Sequence, residues 1–183
     1  MSGRIVAVVL LAGAVLVQVT ILNRIPLPWG VAPDLVLVVL VGVALRLGAV
    51  CGAVGGFCSG LALDVLPPTE TELGRYAVLL CLAGYLAGSL AGTDRDSPVL
   101  PFALTALAAL GVGLGFTGIG LVLGESRASL AGIVQFLPVT VGYTLLISPF
   151  ALFVVSRCLR RFAAQRDPLW QEGEFSLRGD RAW

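Results

Sequence analysis

The chain contains no histidine and, in 183 residues, no lysine. Without histidine it lacks the usual acid/base group of neutral pH and the commonest metal ligand. Its cysteines, Cys51, Cys58, Cys81 and Cys158, form no C-x-x-C pair. A zinc centre therefore has no ligand set, and no metal or other cofactor is expected. The cysteines read instead as small hydrophobes. Charge is scarce too: 13% of residues are charged, against about 25% in soluble domains. The formal net charge is only +1, which gives no argument for a nucleic-acid partner. All basic residues are arginine, which speaks to codon usage rather than mechanism.

What fills the chain is apolar. Hydrophobic residues make up 57% of it and mean hydropathy is +0.96. Uncharged runs extend over Ile5–Asn23, Leu35–Leu45, Leu47–Leu63, Tyr76–Thr93, Ser97–Gly124 and Ala128–Ser156. Several exceed the ~18 apolar residues that mark a membrane-crossing helix. The first run follows Arg4 but precedes no cleavage site or soluble domain, so it reads as a retained helix rather than a leader. The expected fold is an all-α polytopic membrane protein, a six-helix transmembrane bundle over residues 1–156. A polar tail from 157 to 183 follows it.

The first helix is expected over Ile5–Leu22, followed by the loop NRIPLPWGVA. The second opens at Pro33-Asp34, where a proline and a carboxylate suit free N–H groups and the positive dipole end. It runs to Leu45, only ~20 Å at 1.5 Å per residue, so it need not cross the whole bilayer. A tight turn, Arg46-Leu47-Gly48, leads to a third helix over Ala49–Leu66. The loop PPTETELG precedes a fourth helix, Arg75–Ala91, and GTDRDS a fifth, Pro98–Leu123. After GESRAS the sixth covers Leu130–Ser156, with Pro138 and Pro149 as expected kinks. Arg46, Arg95, Arg157, Arg160, Arg161 and Arg166 share the side of the N-terminus, and Arg24, Arg75 and Arg127 the other. Arginine excess marks the cytoplasmic face, so both termini are expected inside a plasma membrane.

Glycines recur every four residues: Gly48, Gly52, Gly56 and Gly60, then Gly84, Gly88 and Gly92, then Gly111/Gly115 and Gly120/Gly124. Lipid supplies little hydrophobic drive between helices, so association rests on close backbone approach at such small residues. The stripes read as packing seams of the bundle, with a partner's transmembrane helix as a second use for one of them. Asp64 falls at the outer C-terminal end of the third helix, where the dipole disfavours a carboxylate. It needs water or a partner. Arg75 is the candidate partner, in a pair that would pin the outer ends of the hairpin. Gln18 and Thr20 end the first helix, either bonding across helices or simply meeting the interface. Asp34 and Asp64 as an acid/base pair lack a nucleophile, a metal ligand or a relay.

These residues carry a resemblance. Gln18-Val-Thr20 closes a first helix, Pro33-Asp34-Leu35 opens a second, and Gly52-x-x-x-Gly56-Phe57-x-x-Gly60-Leu61-x-x-Asp64 follows. Leu73-Gly74 then leads into a helix with Gly84-Tyr85. Over roughly residues 15 to 90 the chain resembles the rod shape-determining protein MreD family. That resemblance implies a non-enzymatic inner-membrane scaffold of the cell-elongation machinery, helping to control cell shape and peptidoglycan synthesis. Its implied partner is the transmembrane segment of MreC. MreB, a SEDS polymerase and a penicillin-binding transpeptidase act alongside. It also implies a six-helix layout similar to the substrate-binding subunit of energy-coupling-factor transporters. Together with the glycine stripes and the Asp64–Arg75 pair read above, the residues expected to be structural or partner-binding are Gln18, Thr20, Asp34, Gly52, Gly56, Gly60, Asp64, Arg75, Gly84 and Gly88. The rival reading is a small-solute, vitamin-type transporter subunit, which should place polar groups near the midplane. The helix centres offer Ser59, Thr105, Thr117, Gln135 and Thr144.

Overall fold

A computed structural model describes residues 2–24, 32–66, 74–90, 99–122 and 130–163. Among them every regular element is helical: α1 (Ser2–Thr20), a 3₁₀ turn (Leu22–Arg24), α2 (Leu35–Leu47), α3 (Ala49–Val65), α4 (Arg75–Ser89), α5 (Leu100–Val122) and α6 (Leu130–Ala163). Most of NRIPLPWGVA, all of PPTETELG but Gly74, GTDRDS, GESRAS and the tail beyond Ala163 lie outside the described residues. The helix starts and stops fall close to the expected ones, except that α6 runs on past Ser156 to Ala163. Arg157 to Ala163 (RCLRRFA) contains no glycine or proline to stop it. The prolines within α6 do not divide it. The missing N–H of Pro149 leaves the carbonyl of Leu145 open, and the Ser148 hydroxyl donates to that carbonyl at 2.9 Å.

Among the described residues, three stretches are long and apolar enough to cross a bilayer: Gly3–Arg24, Leu100–Val122 and Leu137–Leu159. Their length and composition are those of membrane-crossing helices. The other helices have 13, 17 and 15 residues, or about 20, 26 and 23 Å against a hydrocarbon core of about 30 Å. The shortness expected of the second helix thus extends to α3 and α4.

The shortest helix is the axle of the fold. α2 (LVLVVLVGVALRL) is apolar around its whole circumference, and such a helix belongs inside. Val36 through Ala44 are all buried, and α1, α3, α4, α5 and α6 all pack on it. Gly42 admits the side chains of Leu152 and Val155 from α6, which would meet an added Cβ at 3.0–3.2 Å. Valines are poor helix formers in water. In lipid the backbone has no other way to satisfy its hydrogen bonds, so the helix holds.

Among the described helices α3 and α4 make the most extensive contact, along the glycine seam. A methyl added to Gly60 would stand 2.5 Å from the Ala77 Cα, and one on Gly88 2.5 Å from the Ala49 Cα. At Gly52, Gly56 and Gly84 the added atom would run into backbone carbonyls, those of Gly84, Leu80 and Gly52 respectively. Gly52, Gly56, Gly60, Gly84 and Gly88 are therefore spent on this one contact. The fifth-helix stripe is not of this kind: a Cβ on Gly115 would meet only the Leu79 side chain, and one on Gly111 nothing within 4 Å.

Candidate functional site

The polar side chains gather where α1 ends, α2 begins, α3 ends and α4 begins. Gln18, Asp34, Asp64 and Arg75 are each no more than 8% exposed. Burial of such groups in an apolar bundle demands partners for all of them.

The start of α2 is closed by side chains from three helices. Asp34 is its N-cap, and Asp34 Oδ1 accepts from the Leu37 amide at 2.9 Å. The Asp34 amide donates to Thr144 Oγ1 on α6 at 3.1 Å, while the Thr144 hydroxyl donates to the Thr140 carbonyl. From α1, Gln18 grips the chain on both sides of Asp34. Its Nε2 donates to the Pro33 carbonyl and its Oε1 accepts from the Leu35 amide, each at 2.9 Å. Gln18 thus bonds across helices rather than only meeting the interface. Thr20 is exposed at the end of α1 and lies outside this cluster.

The start of α4 is capped from another helix. Gly74, at φ 95°, sits in the N-cap position with no side chain to cap with. Asp64 of α3 does it instead. Asp64 Oδ2 accepts from the amides of Gly74 and Ala77 at 3.0 and 3.1 Å, and Oδ1 from that of Tyr76 at 3.3 Å. The antiparallel neighbour supplies the partners that a carboxylate at a helix C-terminus needs. The seam brings the end of α3 against the beginning of α4, and the dipole of α4 welcomes the charge that of α3 opposes. Arg75 reaches from α4 to α5. Its Nη2 donates to the Phe116 carbonyl and its guanidinium carbon lies 4.0 Å from the centroid of the Phe116 ring.

Tyr76 joins the two caps. Its amide is bound by Asp64, and its hydroxyl donates to Asp34 Oδ2 at 2.6 Å. Its ring meets Phe116 edge-on at 5.9 Å. Tyr76, Thr144 and Phe116 were not among the expected site residues. A tyrosine at the first turn of an apolar helix was the one usable signal, because its hydroxyl needs a partner when buried.

Thr144 lies within the Leu137–Leu159 stretch, ~10 Å along the helix from its first residue at 1.5 Å per residue. Phe116 lies ~9 Å short of Val122, the last residue of α5, by the same measure. The cluster is therefore recessed below the ends of the long helices. The other helix-centre hydroxyls turn inward on their own backbones: Ser59 to Gly55, Thr105 to Pro101 and Thr117 to Gly113, at 2.7–3.0 Å. Gln135 lies outside the described side chains. Among the described residues no group of His, Cys, Asp and Glu is placed to hold a metal ion.

No family model, curated protein or solved structure matches the chain.

Proposed function

We propose that the chain is a non-enzymatic membrane scaffold of the bacterial elongation machinery, binding MreC as the MreD resemblance implies. It would sit in the plasma membrane with both termini cytoplasmic. The observation that carries this reading is the occupancy of Asp64. Its oxygens are bound to backbone amides of the next helix, and Asp34 and Gln18 are likewise bound to backbone. These polar groups hold helices together, which supports a structural role. The residues of the motif converge in the same way: Gln18, Asp34, Asp64 and Gly74 close helix ends, while Gly52, Gly56, Gly60 and Gly84 close the seam between them. A rigid platform with a lipid-exposed surface fits recognition of a partner's membrane segment. MreB, the SEDS polymerase and the transpeptidase then join through that partner.

The test is recovery of the tagged chain from native membranes in mild detergent, with identification of what accompanies it. MreC is the expected companion at near-equal amounts. Recovery without MreC, but with a stoichiometric vitamin-sized solute, would replace the scaffold with the transporter reading.

A further inference from the structure

We propose that the groove between α5 and α6 is a binding site for one anionic phospholipid, its acyl chain in the groove and its phosphate on Arg157. The groove has a volume of about 350 Å³, within the ~300–1,000 Å³ of small-molecule sites. Pro101 and Phe102 wall it from α5, and Pro149 and Phe153 from α6. Proline rings reach less far from the backbone than leucine or phenylalanine, so two of them on one cavity leave a notch between the helices. The phenyl rings form its sides. The lining is apolar until the C-terminal end of the groove, where Ser156 and Arg157 complete it.

That order of groups matches a phospholipid and not a free anion or a bare hydrocarbon. An apolar chain fills the length, and a cation with a neighbouring hydroxyl stands where the chain gives way to a headgroup. Arg157 and Arg161 are both exposed and lie one turn apart on the same helix face. Two guanidinium groups suit the oxygens of a phosphate diester, to which arginine binds with two parallel N–H donors. Next to an anionic membrane surface each such arginine contributes about a fivefold preference. The inference is independent of the scaffold reading, since it rests on α5 and α6 alone and the resemblance covers α1 to α4.

The experiment is native mass spectrometry of the full chain, released from detergent with equal amounts of phosphatidylglycerol and phosphatidylcholine of identical chains. The expected result is one retained phosphatidylglycerol, favoured over phosphatidylcholine. Arg157→Gln should lower that preference about fivefold, and adding Arg161→Gln should lower it further by a similar factor. Ser156→Leu, which fills the groove and leaves both charges, should reduce retention of both lipids. Equal retention of the two lipids by the unaltered chain overturns the proposal. So does an unchanged preference in the double arginine variant, or unchanged retention in Ser156→Leu. The comparison of lipids on the unaltered chain needs no variant to fold.

Discussion

Asp64 ends α3 and caps α4, so one side chain serves two helices whose dipoles ask opposite things of it. Removing it leaves the amides of Gly74, Tyr76 and Ala77 without the acceptor they have now. An unsatisfied buried donor costs about 1–3 kcal/mol. Asp64→Leu is therefore expected to destabilise by at least about 2–3 kcal/mol, measured by reversible unfolding in mixed micelles. Asp64→Asn keeps one carbonyl oxygen for Gly74 and Ala77 and should cost less than half as much; equal losses would mean that the caps contribute little. Tyr76 gives a second measurement at the same scale. Tyr76→Phe and Asp34→Ala each remove one side of a 2.6 Å hydrogen bond. A double-mutant cycle should show about 1–3 kcal/mol of coupling, and additive effects would dissolve the link between the caps.

For the helices, the glycines divide into those that matter and those that do not. A larger side chain at Gly56 would displace the backbone at Leu80. Gly56→Leu should therefore separate α3 from α4 and lower the thermal midpoint sharply. Gly111 and Gly118 have open space around an added methyl. There Gly→Ala should be neutral or stabilise by up to about 1 kcal/mol, because alanine is the better helix former. If both classes of substitution behave alike, the seam is not what holds the pair. This division shows what was legible in the sequence and what was not. Four-residue spacing marked the stripes on the third, fourth and fifth helices equally. It could not say that the first two face each other and that Gly111 faces open space, because spacing locates a face but not its neighbour. α2 was legible as short. Its central place follows from apolarity on every side, which sequence shows but hydropathy shares with lipid-facing helices. That Asp64 pins the outer end of the hairpin was legible from its place at a helix C-terminus, but the backbone amides it binds were not, because every residue but proline carries one and no side-chain pattern announces them.

For the whole molecule, both termini are expected inside. A green fluorescent protein fused after Trp183 should fluoresce and an alkaline phosphatase fused there should be inactive; the opposite pair of results reverses the orientation. Replacing Arg157, Arg160 and Arg161 together by glutamate removes the basic end of α6, and lower membrane levels or altered orientation are expected from quantitative blotting of those fusions. The short helices carry a consequence of another kind. α3 and α4 present Val50, Val54, Phe57, Leu61 and Val65, and Val78, Leu82, Tyr85 and Leu86, to the surroundings. Their apolar height is only about 23–26 Å, and a bilayer resists such mismatch by pinching toward the protein at a cost of fractions of a kcal/mol per ångström. One flank of the molecule would thus meet a compressed membrane, while α5 and α6 on the other meet a relaxed one. Such an asymmetric dimple draws together proteins that share it, so the thin flank would gather neighbours through the elasticity of the lipid itself, before any two surfaces touch.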